Sequence, residues 1–201
     1  RYSGEEEVVY GVTVSGRPAE LPGVEKMVGL FINTLPVRVK VRGEERVEEW
    51  IRRIQADQVE MRQYEYSPLA AVQGWSGAPK GTPLFESIVV FENYPVDRTL
   101  REWKGSLEIA EIRATETTNY AVTLTAIPGR ELYLNLGYYA KQFETETIER
   151  MLGHLMRLME SIAIGSQGRV GELPILSEVE RRQLLEEWNQ TRRDYSLEPI
   201  H

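Results

Sequence analysis

Val37, Val39 and Val41 alternate with Arg38, Lys40 and Arg42. That period of two suits an extended strand with one apolar face. Directly in front of it lies Val28-Gly29-Leu30-Phe31-Ile32-Asn33-Thr34-Leu35-Pro36, an apolar run broken by one polar pair. Pro36 favours an extended conformation for Leu35. A short apolar turn or helix end therefore feeds a strand, Leu35 to Val41, through Asn33-Thr34. An amide and a hydroxyl among apolar neighbours must find partners, because an unsatisfied buried polar group costs about 1–3 kcal/mol. Two readings of the pair stand side by side: a structural corner, or a polar spot on a tunnel wall.

The rest of the chain reads as a mixture of strands and helices. Val8 to Val14 is β-rich, and Ser15 to Gly23 is loop material carrying Gly16, Pro18, Pro22 and Gly23. Arg17 sits in that loop and reads from the residues alone as a solvated arginine. A short helix is expected over Gly23 to Phe31. Glu44 to Tyr64 is a second helix, with Val47, Trp50, Ile51, Ile54 and Met61 along one face. Leu69 to Val72 is one helical turn, followed by loop to Thr82. Phe85 to Glu92 contains the continuous apolar run Ile88-Val89-Val90-Phe91, which suits a strand covered on both faces. Leu107 to Ala114 alternates as another strand. Tyr120 to Ile127 and Glu131 to Tyr138 form a hairpin across Pro128-Gly129. Glu144 to Ile164 is the clearest helix, its apolar face running from Ile148 to Ile162 and its end marked by Gly165. Ser177 and Glu180 match a capping box, so a further short helix runs to about Trp188, with Val179, Leu184, Leu185 and Trp188 available for docking. Arg1 to Gly4 reads like the tail of a helix that ended at Gly4.

Composition narrows the function classes. Hydrophobic residues make up 41% of the 201, enough for a core. The net charge of −7 is a poor match for a nucleic-acid phosphate backbone, so no nucleic-acid partner is expected. No apolar run approaches the ~20 residues of a membrane helix, and no membrane partner is expected. There is no cysteine, which excludes disulfides, thiolate metal sites and a cysteine nucleophile. Its absence fits a reducing compartment, and a cytoplasmic location is the expectation. The two histidines are His154 and His201. His154 is one residue off its helix's apolar stripe and is expected to be partly exposed. No metal site is expected. No Gly-rich phosphate loop, H-E-x-x-H or G-x-S-x-G run occurs, and no carboxylate pair stands out as an acid/base couple.

Several stretches carry a resemblance. VGLFINTLPVR resembles the fifth core motif of the condensation domains of nonribosomal peptide synthetases. VSGRPAELPGVE resembles the strand and loop that precede it. Tyr66-Ser67-Pro68-Leu69 and PLFESIVVFENYP, Pro83 to Pro95, resemble the sixth and seventh motif regions. LNLGYYAKQFETETIERMLGHL resembles the last strand and helix of the domain. LPILSEVERRQLLEEWNQT resembles the linker that leads into an adenylation domain. The matches follow the family's order and span essentially the whole chain.

The resemblance implies an α+β fold: the C-terminal half of a chloramphenicol acetyltransferase-like condensation domain, a mixed sheet with flanking helices. Residues 1–165 would be the C-terminal lobe and residues 166–201 the linker toward an adenylation domain. The implied activity is peptide-bond formation between carrier-bound aminoacyl or peptidyl thioesters. The family's catalytic His-His-x-x-x-Asp-Gly motif is absent from these 201 residues. The lobe is thus expected to supply tunnel wall and carrier docking, with no catalytic residue, and the isolated chain to be inactive. No cofactor is expected to bind directly; phosphopantetheine arms arrive on partner carrier domains. The implied partners are the N-terminal lobe of the same domain, an adenylation domain, and donor and acceptor carrier domains. Arg17, Asn33, Thr34 and Arg38 are the implied tunnel or lobe-interface residues. Segments around Ser15 to Pro22 and Tyr94 to Asn119 would reach across to the other lobe. The alternative is a non-catalytic carrier-binding or recruitment module of the same fold. An epimerisation domain and a freestanding coenzyme-A acyltransferase fit the motifs and the linker less well.

Overall fold

A computed structural model describes residues 2–18, 21–79, 81–92, 118–165 and 167–191. The expected strand at Leu107 to Ala114, most of the Tyr94 to Asn119 segment and the tail beyond residue 191 lie outside the described residues. The described strands are β1 (Glu7–Val14), β2 (Asn33–Lys40), β3 (Ser87–Phe91), β4 (Val122–Ile127) and β5 (Tyr133–Tyr138). The helices are α1 (Val47–Met61), α2 (Leu69–Trp75), α3 (Thr145–Ala163) and α4 (Glu178–Arg182).

The five strands form one mixed sheet in the order β2-β1-β3-β4-β5. β1 pairs antiparallel with β2, aligning Val8 with Val39 and Val14 with Asn33. β3 lies between β1 and β4 and is parallel to both. β4 and β5 form the expected hairpin, with Ile127 opposite Tyr133. The apolar run of β3 therefore sits at the sheet centre. Only Ile88 in it is buried, and Phe91 remains 60% exposed, so its cover is less complete than the run implied.

One face of the sheet carries the helices. Leu35, Val37 and Val39 are buried on that face of β2. Val41 continues their parity and packs on a cluster of Val47, Val170 and Leu173, joined by Trp50 from α1 and by Leu158 and Ile162 from α3. Burying a side chain of this size stabilises by about 1.5–3 kcal/mol. Polar links add register: Trp50 Nε1 donates to Lys40 O at 3.2 Å, and Arg53 bridges Lys40 O at 2.9 Å and the Glu45 carboxylate at 2.7 Å. The chain after α3 is tied to the loop before α1. Val170 N–H donates to Glu45 O at 2.9 Å, and Gly171 N–H donates to Gly43 O at 2.8 Å.

Several local expectations need correction. The helix expected over Gly23 to Phe31 is only a 3₁₀ turn, Val24–Lys26, because Gly23 enters it at φ 78° and Met27 leaves it extended. Asn33-Thr34 does not precede the strand but begins it. α2 runs to Trp75, three residues beyond the expected turn. No helix is present over residues 2–6. His154 is buried, at 7% exposure, not partly exposed. Tyr2 and Glu180 cover it from elements far away in sequence.

The capping box is as expected. Ser177 Oγ accepts from Glu180 N–H at 3.1 Å, and Ser177 N–H donates to Glu180 Oε2 at 2.7 Å. The Ser177 backbone N–H, then the Ser177 side chain, then His154, hold the Glu180 carboxyl down at about 2. A carboxylate depressed on folding contributes stability above its unfolded value and loses it as pH falls. The contribution of Glu180 should thus fade between pH 4.5 and about 2. An acid titration of stability in Glu180→Gln should be flatter than the parent across that window. Parallel curves would mean that the carboxylate contributes nothing.

Candidate functional site

The end of the β1–β2 pair is built around two close approaches. Gly16, at φ 61°, lies against the Phe31 backbone. The next residue, Arg17, folds back on its own chain. Its guanidinium stands 4.1 Å over the Phe31 ring, and its Nη1 donates to Val24 O. A guanidinium over an aromatic face is attracted by the ring quadrupole, so Arg17 is held in place.

Asn33 follows two residues after Phe31. Its Nδ2 donates to Glu65 O at 2.9 Å and to Ser67 O at 2.7 Å. Its Oδ1 accepts from Thr34 N–H at 2.9 Å. The two carbonyls fix which end of the amide is nitrogen. The side chain thereby pins the Glu65-Tyr66-Ser67 turn, between α1 and α2, to the first residue of β2.

Arg17, Asn33 and Thr34 are thus gathered at one end of the strand pair. Arg38 is not with them. It lies five residues further along β2, roughly 17 Å at strand rise, and on the sheet face opposite Asn33. There it is exposed and paired with Glu7, Nη2 to Oε2 at 2.9 Å. Hydrogen bonding to Arg38 lowers the pKa of Glu7.

Beside the Asn33 clamp the chain leaves apolar side chains bare. Val28 and Leu30 are fully exposed, and Ile32 is 64% exposed. Tyr64 and Tyr66, flanking Glu65 in the clamped turn, are exposed as well. A monomer rarely leaves contiguous apolar surface in water without a partner for it.

The sheet face opposite the helices carries a second feature, which no sequence motif announces. Gly11 has no Cβ, so the Phe85 ring lies against the sheet; an added Cβ would sit 2.3 Å from Phe85 Cε2. Phe85 stacks on Tyr120 at 5.4 Å between ring centroids. Beyond Tyr120 a cleft of about 220 Å³ is lined by Thr123, Thr125, Tyr133, Asn135, Tyr139 and Glu92, among others. The alternation of Thr123 and Thr125 with Val122, Leu124 and Ala126 is its only local signal. Hydroxyls and an amide of this kind suit a ligand that both donates and accepts hydrogen bonds. Among the described residues no His, Asp and Glu cluster could hold a metal ion, and no helix is long and apolar enough to cross a membrane.

Residues 1–185 match the family described as Condensation domain. The chain belongs to that family. It is 50% identical over 195 residues to one of the subunits of linear gramicidin synthase from Brevibacillus parabrevis, covering 97% of this chain and 4% of that protein. It is 40% identical over 189 residues to chondramide synthase of Chondromyces crocatus, covering 94% of this chain and 5% of that protein. Among solved structures, a four-domain nonribosomal peptide synthetase bound to AMP and glycine superposes with TM-score 0.75. The identity is 15%, and the match covers 89% of this chain and 15% of that one. The starter condensation domain of rhizomide synthetase superposes with TM-score 0.65 at 18% identity, over 87% of this chain and 40% of that one. The expected α+β condensation fold is borne out. The chain spans only a small part of the length of these relatives.

Proposed function

We propose that residues 1–165 are the C-terminal lobe of a peptide-bond-forming condensation domain and residues 166–201 the linker toward an adenylation domain. In the intact synthetase the domain joins carrier-bound aminoacyl or peptidyl thioesters. This lobe supplies tunnel wall and carrier docking, and the catalytic histidine comes from the N-terminal lobe. Phosphopantetheine arms of donor and acceptor carrier domains deliver the substrates; the lobe itself binds no cofactor. Arg17, Asn33, Thr34 and Arg38 serve the substrate tunnel or the lobe interface, Arg38 from the sheet face opposite Asn33.

The observation that carries this reading is the bare strip of Val28, Leu30 and Ile32 beside the Asn33 clamp. Within a condensation-family chain that lacks the His-His-x-x-x-Asp-Gly motif, such a strip supports a partner lobe that covers it. The test is single-turnover condensation with loaded donor and acceptor carriers. The 201-residue chain alone should give no dipeptide above background. The same sequence joined to its N-terminal lobe should give product. Turnover by the chain alone would place the chemistry in this lobe and overturn the assignment.

A further inference from the structure

His154 has no part in the condensation chemistry, yet it is among the few buried polar side chains described. Tyr2 Oη lies 2.6 Å from its Nδ1, and Glu180 Oε1 lies 2.9 Å from its Nε2. Nε2–H donates to the Glu180 carboxylate, and the Tyr2 hydroxyl, which can both donate and accept, bonds Nδ1. The other oxygen of Glu180 accepts from Ser177 N–H at the start of α4. Three segments therefore meet on one imidazole: the stretch before β1, the middle of α3, and the first turn of α4.

Apolar burial contributes little to the seating of α4. No residue of α4 is buried, and Val179, Leu185 and Trp188 are all more than half exposed. The polar link through Glu180 ties the helix directly to α3. Tyr2 is likewise mostly in solvent, at 60% exposure, and is engaged with α3 through its hydroxyl and tilted ring contact with His154 and through the Arg150 guanidinium beside its hydroxyl.

We propose that Tyr2, His154 and Glu180 form a coupling device, which makes the seating of α4 depend on the position of the segment that enters before β1. Its use rests on the proposed condensation function. There, the entering segment comes from the N-terminal lobe and α4 leads toward the adenylation domain, so a displacement on one side is passed to the other. The coupling itself is a property of this chain and is measured on it.

Hydrogen exchange of the 201-residue chain tests the coupling. Tyr2→Phe removes one hydroxyl far in sequence from α4. Loss of one hydrogen bond to a partly buried partner should speed exchange over residues 178–187 about fivefold, with α3 unchanged. His154→Gln, which keeps a donor for Glu180 but does not reach Tyr2, should match Tyr2→Phe. Adding Tyr2→Phe to Glu180→Ala, which leaves His154 Nε2 without its acceptor, should change nothing further at residues 178–187. Unchanged exchange of α4 in Tyr2→Phe would overturn the proposal. So would equal acceleration of α3 and α4, or additive effects in the double variant. None of these readouts involves peptide-bond formation, so this proposal and the condensation reading fail separately.

Discussion

Gly16→Ala is expected to destabilise the chain by about 3–4 kcal/mol, near the top of the range for single substitutions. Two costs combine. Gly16 sits at φ 61°, where an L-residue with a Cβ loses about 1–2 kcal/mol. In addition, the new Cβ would lie 1.8 Å from the Phe31 carbonyl oxygen, which is backbone and cannot rotate away. Relief requires β1 and the Phe31 stretch to separate, which also breaks the stacking of Arg17 on Phe31. Gly23→Ala is the matched control. Its φ is 78°, but nothing lies within 4 Å of the added Cβ, so only the conformational cost applies. For a domain of this size the difference amounts to roughly 2–12 °C in melting temperature. Equal melting of the two variants would show that the Gly16–Phe31 approach is not rigid.

Periodicity made most of the architecture legible, because strands and helices with one buried face repeat their apolar residues at fixed intervals. The β4–β5 hairpin, α3 with Gly165 behind it, and the Ser177–Glu180 cap all follow from local residue order. What stayed hidden depends on distant partners. β2 begins at Asn33 because Val14 and Thr13 of β1 pair with Asn33 and Thr34, and no residue near position 33 announces that. The burial of His154 is set by Tyr2 and Glu180, 152 and 26 residues away, so its own helix gave only the edge of a stripe. Of the residues expected at the site, Arg17, Asn33 and Thr34 meet because β1 and β2 end together. Arg38 shares the motif of Asn33 and Thr34, but four to five residues of rise carry it away from them, and strand parity sets it on the face opposite Asn33. The polar cleft over β4 and β5 is the converse case. Each strand showed its alternation, but only the register that sets Thr125 opposite Asn135 makes one continuous polar surface.

The Asn33 clamp gives the second large effect, with a pH signature of its own. Asn33→Ala leaves the Glu65 and Ser67 carbonyls without their donors in a half-buried turn, at a cost of about 2–3 kcal/mol. Asn33→Asp should cost more at neutral pH, because it keeps the acceptor for Thr34 N–H but aims an anionic oxygen at two carbonyl oxygens. Those carbonyls favour the protonated acid, so the folded state of this variant holds its proton more tightly than the unfolded one. The raised carboxyl then makes the variant regain stability as pH falls through the carboxylate range, the opposite of the loss expected at Glu180. Urea titrations of the parent and both variants between about pH 4 and 7 measure this directly. A pH-independent deficit in Asn33→Asp would mean that the amide does not face the two carbonyls in solution. Asn33→Ala in the intact domain separates structure from chemistry. A variant that melts with the parent while its condensation rate falls about a hundredfold would assign the amide to the substrate path; a matched loss of stability with condensation intact keeps it as the pin between β2 and the Glu65–Ser67 turn.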